Sequence, residues 1–116
     1  MALTVTSREK DGVTVLDLKG KITLGEGSVQ IRDAVRGLVG KGQKKILLNL
    51  GEVNYIDSSG LGELVAAYTT ARNQGAGLKL LQLTKKVHDL LQLTKLYTVF
   101  DIYDDEAIAI ASFKQT

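Results

Sequence analysis

The sequence predicts an α/β fold: a mixed β-sheet, antiparallel at its N-terminal strands and parallel through its core, with about four α-helices packed on it. Three observations predict it. Apolar and polar residues alternate from Leu3 to Leu18 on either side of an Asp11-Gly12 turn. Beyond Gly25 the apolar spacing switches to helical periods separated by short apolar runs. Twelve glycines and no proline punctuate the 116 residues, as closely spaced regular elements joined by Gly-rich turns require.

The elements follow in order. Leu3, Val5 and Ser7 alternate with Thr4, Thr6 and Arg8 and read as a first strand. Gly12 tolerates the positive φ of a tight hairpin, so Asp11-Gly12 turns the chain back. Val13 to Leu18 form a second strand, apolar enough on both sides to be buried over much of both faces. Ile22-Thr23-Leu24 after Gly20 is expected as a brief third strand, making the opening antiparallel. Ile31, Val35, Leu38 and Val39 then mark one face of a helix, with Ser28 as its expected N-cap and Gly40 or Gly42 as its stop.

Lys45 to Asn49 is an apolar run with polar ends, as a central strand has. Asp57-Ser58-Ser59-Gly60 opens a second helix with the stripe Leu61, Leu64, Val65 and Tyr68, and Gly75-Ala76-Gly77 ends it. Leu78 to Leu83 is another buried strand. A third helix carries Val87, Leu90, Leu91 and Thr94; Phe100 to Tyr103 is extended, and Asp104 to Phe113 is a final helix. Strands alternating with helices imply right-handed crossovers and a parallel sheet. With no linker, low-complexity run or repeat, residues 1–116 are expected to be a single domain.

Composition narrows the function. A chain of 44% apolar and 24% charged residues can build one core without metal or disulfide help, and it has no cysteine to use for either. Fifteen basic and 13 acidic residues give a net charge of +2, too balanced to predict direct nucleic-acid binding or an anionic membrane surface. No apolar run approaches a membrane span, so membrane insertion is not expected. Met1 to Asp11 carries charges where a signal peptide needs an apolar segment. The expectation is a soluble cytoplasmic protein. A single histidine and no cysteine leave few routes to nucleophilic chemistry or a zinc site.

The most informative stretch runs from Asn54 to Leu64. A strand-like run ends there and a strongly periodic helix begins at once. Ser58 and Ser59 therefore sit where unpaired helix N–H groups point outward, a geometry that favours an anion and above all a phosphate. Gly60 and Gly62 remove side-chain bulk, so another molecule could approach the backbone closely. A capping turn accounts for one such residue. Two serines and two glycines exceed what a cap needs.

Other chemistries fit less well. A hydrolase elbow requires Gly-x-Ser-x-Gly, and Ile56 stands where its first glycine belongs. The one histidine, His88, reads as a surface residue of the third helix, so a small serine hydrolase is a remote alternative. Gly25-Glu26-Gly27 lacks the third glycine of a dinucleotide fingerprint, and Gly40-Lys41-Gly42 lacks the first glycine of a phosphate loop, with Val35 in its place. Asp101, Asp104, Asp105 and Glu106 are acidic as a first helical turn prefers, and no EF-hand order is present. Lys44-Lys45 and Lys85-Lys86 read as solvated faces. No catalytic residue, cofactor or metal is expected, and no enzyme activity.

The Ile56-Asp57-Ser58-Ser59-Gly60-Leu61-Gly62 segment resembles the signature of STAS domains, specifically of bacterial anti-sigma factor antagonists. The resemblance covers nearly the whole chain: the opening strands, the Gly20-Lys21-Ile22 step into the first helix, the Leu47 to Leu50 strand and the C-terminal helix follow the family order. It implies the STAS fold and partner switching in transcription regulation. The unphosphorylated antagonist binds an anti-sigma factor that is itself a serine kinase, and so releases a sigma factor. The kinase phosphorylates one signature serine, and a metal-dependent type 2C phosphatase removes the phosphate. By position the acceptor is Ser58, with Ser59 in support and Asp57, Ser58, Ser59, Gly60, Leu61 and Gly62 forming the partner-binding segment. Asp57 is expected to help position the turn or recruit the kinase.

The chain departs from the family at one point. Many antagonists carry an acidic residue shortly after the glycine corresponding to Gly20, where this chain has Thr23 and Leu24, which bears on which partner is recognised. Within the same fold, the alternative is a STAS regulatory subunit of a non-sigma target such as a lipid transporter or a secretion pathway. The sequence leaves self-association into a homodimer open.

Overall fold

The computed structural model describes residues 3–114. Five strands and four helices follow in the order β1 (Leu3–Lys10), β2 (Val13–Ile22), α1 (Glu26–Gly40), β3 (Lys45–Ile56), α2 (Ser58–Asn73), β4 (Gly77–Leu81), α3 (Lys85–Thr94), β5 (Ile102–Tyr103) and α4 (Glu106–Ser112), with a 3-10 turn at Leu96–Thr98. The sheet order is β1-β2-β3-β4-β5, and β1 pairs antiparallel to β2 while every later pairing is parallel. That is the mixed sheet expected from the sequence.

Strand alternation decides which helix covers which face. In β3, Ile46, Leu48 and Leu50 join Ile31 and Val35 of α1, Leu61 and Leu64 of α2, and Val87 and Leu91 of α3 in one buried cluster. Leu47 points the other way, into a smaller cluster with Val13, Val15, Leu81, the α4 residues Ala109 and Ile110, and Phe113 at the end of that helix. Both faces of β2 and β3 are therefore apolar, as central strands buried on two sides require.

Several expectations need correcting. There is no third strand at Ile22-Thr23-Leu24: β2 continues past Gly20 to Ile22, and it pairs with β3 through two register shifts. The neighbour of β2 on that side is thus parallel. Ser28 is not the N-cap of α1, because Gly25, at φ 97°, starts the helix three residues earlier than a cap at Ser28 would. Ser28 instead lies in the first turn and donates, its N–H and hydroxyl both bonding the Thr23 carbonyl.

Boundaries shifted elsewhere for local reasons. β3 runs seven residues beyond Asn49, to Ile56, because Val53 and Ile56 continue its inward row after Gly51 and Glu52 interrupt the apolar run. β4 stops at Leu81, since Gln82 turns into the left-handed region at φ 53°. β5 is limited to Ile102–Tyr103, and α4 begins only at Glu106, after Asp105 has capped it by accepting from the Ile108 N–H at 3.0 Å.

This topology places the functional segment. β2 and β3 run parallel and end side by side at Ile22 and Ile56, and both are followed by helices on the same face. The α1 and α2 N-termini meet there, outside the carboxyl ends of two adjacent parallel strands.

Candidate functional site

The site is a turn locked by backbone contacts. Asp57 leaves β3 in an extended conformation and caps α2: its Oδ1 accepts from the Gly60 N–H at 2.7 Å, and its carbonyl accepts from the Leu61 N–H at 2.9 Å. The Asp57 N–H donates to the Ile22 carbonyl at 3.3 Å, tying the turn to the end of β2. The other carboxylate oxygen, Oδ2, accepts from the Leu24 N–H at 3.3 Å. One side chain thus joins the α2 N-terminus to the loop between β2 and α1.

Gly60 allows the helix to start so close to the sheet. A Cβ at that position would stand 2.0 Å from the Ile22 carbonyl oxygen, a distance no side chain can occupy. Gly62 faces open space, with nothing within 4 Å of where its Cβ would be. The two glycines therefore differ: the fold requires the first, and the second leaves the outer surface low.

The segment divides accordingly. Ser58, Ser59 and Gly62 are exposed, Asp57 is half-buried, and Gly60 and Leu61 face the interior. Ser58 and Ser59 occupy the first two helical positions, and among the described residues neither hydroxyl has a hydrogen-bond partner. An unengaged hydroxyl at a helix N-terminus, beside N–H groups with no intrahelical acceptor, is accessible to a phosphoryl donor. The dianion so formed would lie at the positive end of the α2 dipole.

The surroundings hold features that sequence periodicity did not single out. Leu24 is 77% exposed, and Val29 and Tyr55 are also exposed apolar side chains. Lys86 places its ammonium 5.6 Å from the Tyr55 ring centroid. Glu63, only 8% exposed, is gripped by Arg32 of α1 at 2.7 and 3.4 Å, and the pair borders a cleft between α1 and α2 with Val35, Arg36, Ala67 and Thr70. Leu24, expected in a brief third strand and marked with Thr23 as the departure from the family, stands instead in the loop before α1. The signal for Glu63 was an acid inside an otherwise apolar helix stripe.

Residues weighed for other chemistry lie apart from this turn. His88 is exposed on α3 beside Asp89, with Nδ1 at 3.6 Å from Oδ1. Asp105 is a helix cap, and Glu106 pairs with Arg8. Among the described residues no three His, Cys, Asp or Glu side chains gather in a metal-like group, and no helix is long and apolar enough to cross a membrane.

Comparison with known proteins places this geometry in a family. A model of the STAS domain matches residues 4–109. The anti-sigma F factor antagonist of Paenibacillus polymyxa is 26% identical over 117 residues, covering 98% of this chain and 97% of that protein. The anti-sigma-B factor antagonist of Bacillus subtilis is 28% identical over 102 residues, covering 88% and 92%. The crystal structure of an anti-sigma factor antagonist from Mycobacterium paratuberculosis has the same fold, with a TM-score of 0.85 at 21% identity over 98% of this chain and 96% of that one. The chain belongs to the STAS domain family.

Proposed function

We propose that this STAS domain chain is an anti-sigma factor antagonist that works by partner switching. Unphosphorylated, it binds an anti-sigma factor that is a serine kinase and frees a sigma factor. The kinase transfers the γ-phosphoryl group of ATP to the Ser58 Oγ, leaving ADP and releasing the hydroxyl proton. A type 2C serine phosphatase hydrolyses the phosphoserine and restores binding. The chain acts in the cytoplasm, as substrate and binding partner and not as a catalyst. The names of its full-length relatives support the class, and the turn supports the mechanism.

The observation that carries the reading is the exposed, unengaged Ser58 hydroxyl at the first position of α2, on a backbone fixed by Asp57 and Gly60. Phosphorylation adds about −1.5 to −2 charges and three acceptor oxygens. The α2 dipole stabilises that charge, so the fold persists. Against a partner surface the same charge loses hydration. A penalty of about 3 kcal/mol weakens binding roughly a hundredfold, enough for a switch.

The test is transfer of labelled phosphate from ATP to the purified chain by a kinase fraction from its own cells, with Ser58→Ala and Ser59→Ala run in parallel. One phosphate per chain, lost in Ser58→Ala and kept in Ser59→Ala, is expected. Labelling that survives Ser58→Ala would sink the assignment.

A further inference from the structure

The sheet ends on its fifth strand with one backbone residue turned outward. β5 is last in the order β1-β2-β3-β4-β5 and pairs with β4 alone. On that side the Asp101 carbonyl accepts from the Leu80 N–H at 2.9 Å, and the Tyr103 carbonyl accepts from the Gln82 N–H at 2.7 Å. Successive residues of a strand turn their backbone groups to opposite sides, so Ile102 directs its N–H and carbonyl away from β4. Two residues are too few to template a sheet, and enough to hold one residue of an added strand.

A groove of about 400 Å³ borders this edge. Leu83 and Ile102, both half-buried against the main core, supply its apolar surface, and Tyr97, 46% exposed, adds an aromatic face. Lys85, His88 and Gln92 line it from one side of α3, at spacings of three and four residues. None of these residues belongs to the turn that carries Ser58.

The charge around the groove is one-sided. Lys85 is answered on its own helix by Asp89 at 2.9 Å, and His88 stands beside the same carboxylate, with Nδ1 3.6 Å from Oδ1. Asp101 and Asp104 flank β5 and are exposed, and among the described residues neither carboxylate has an ion-pair partner. An occupant therefore meets an apolar surface, one open backbone residue and two unanswered negative charges.

We propose that β5 accepts an added strand, an extended segment of a partner protein with an apolar residue opposite Ile102 and basic residues facing Asp101 and Asp104. The pairing is antiparallel, because a single outward residue then exchanges both hydrogen bonds with the one residue opposite. Directly opposite side chains share a face of the sheet, so the apolar residue enters the groove beside Ile102. The residue after it comes opposite Asp101, and the residue two before it reaches Asp104. Backbone pairing supplies the affinity, and these three side chains supply the specificity.

The probe is an end-blocked hexapeptide with one valine, a lysine directly after it, a second lysine two residues before it, and threonine elsewhere. It is titrated into the isotope-labelled chain and followed by amide NMR shifts. Saturable shifts centred on Ile102, Tyr103, Tyr97 and Gln92 are expected. Methylating the valine nitrogen removes its bond to the Ile102 carbonyl and should weaken binding about tenfold. Methylating the nitrogen of the following lysine, which faces away, should leave affinity unchanged. Tyr97→Ala should weaken binding about tenfold with the thermal midpoint unchanged. Asp101→Asn combined with Asp104→Asn should weaken it about fivefold at low salt and less at high salt. No saturable shift at millimolar peptide, equal effects of the two methylations, or full affinity in the double asparagine variant would each overturn the proposal. A dimer of the free chain that Tyr97→Ala dissolves would also overturn it, assigning the groove to a second copy.

Discussion

The Ile22 carbonyl oxygen occupies the place where a Cβ at Gly60 would have to go, 2.0 Å from it. That contact sets the height of α2 above the end of β2, and with it the position of Ser58. The same carbonyl accepts the Asp57 N–H, so the helix start and the strand end are one unit.

Gly60 and Gly62 should therefore respond oppositely to alanine. Gly60→Ala forces α2 off the sheet and is expected to cost at least about 2 kcal/mol, lowering the thermal midpoint by about 8 °C. Gly62→Ala meets open space in a helix interior and should stabilise by up to about 1 kcal/mol. Urea unfolding of the two variants decides this, and equal effects would contradict it.

Asp57→Ala removes both the cap on Gly60 and the tie to Leu24. The cap alone is worth about 1 kcal/mol. Asp57→Asn keeps one acceptor and should lose less. Amide exchange of Leu24 should speed up in Asp57→Ala while that of the β3 amides keeps pace with global stability alone.

The acid limb of the stability curve should depend on Arg8. Its guanidinium bonds Asp17 at 2.7 Å and Glu106 at 2.9 Å, joining β1, β2 and α4. The hydrogen bond from Arg8 holds both carboxyls below their usual range, and for Asp17 the amide of Asn49 adds to this. A carboxyl depressed in the folded state contributes stability above its unfolded pKa and loses it as pH falls through the folded value. The contribution should thus be complete at neutral pH and fade below about pH 4. Arg8→Met should flatten that fall in urea midpoints measured across the acid range. All three groups are partly exposed, so the effect should shrink in high salt.

Arg32→Met leaves the nearly buried Glu63 carboxylate without its partner. It should lower the urea midpoint more than the double replacement Arg32→Met, Glu63→Met does, because an apolar pair of similar volume carries no desolvation penalty. A double-mutant cycle measures the difference.

Much of this was legible in the sequence because each element carried its own period. The switch from alternation in Val13 to Leu18 to helical spacing after Ile31 announced a mixed sheet with packed helices. The Asp57 to Gly62 run announced the turn. The loop from Thr23 to Gly25 was less legible, since Ile22-Thr23-Leu24 has strand composition, yet only Ile22 pairs with β3 and the chain leaves the sheet before Gly25 turns it at positive φ. Ser28 has the composition of a cap, yet Gly25 had already begun the helix. The Asp57 to Leu24 bond links residues 33 apart in the chain, and no local pattern encodes it. The Arg32 to Glu63 pair, 31 apart, was hidden for the same reason.

The most direct test is peptide mass spectrometry of the chain from its native cells, with partners captured separately on unphosphorylated protein and on protein carrying phosphoserine at residue 58. The account predicts phosphate on Ser58 in part of the population, and an ATP-binding serine kinase held by the unphosphorylated form and released by the other. No phosphate at Ser58 under any growth condition, with the same partner held equally by both forms, would contradict it.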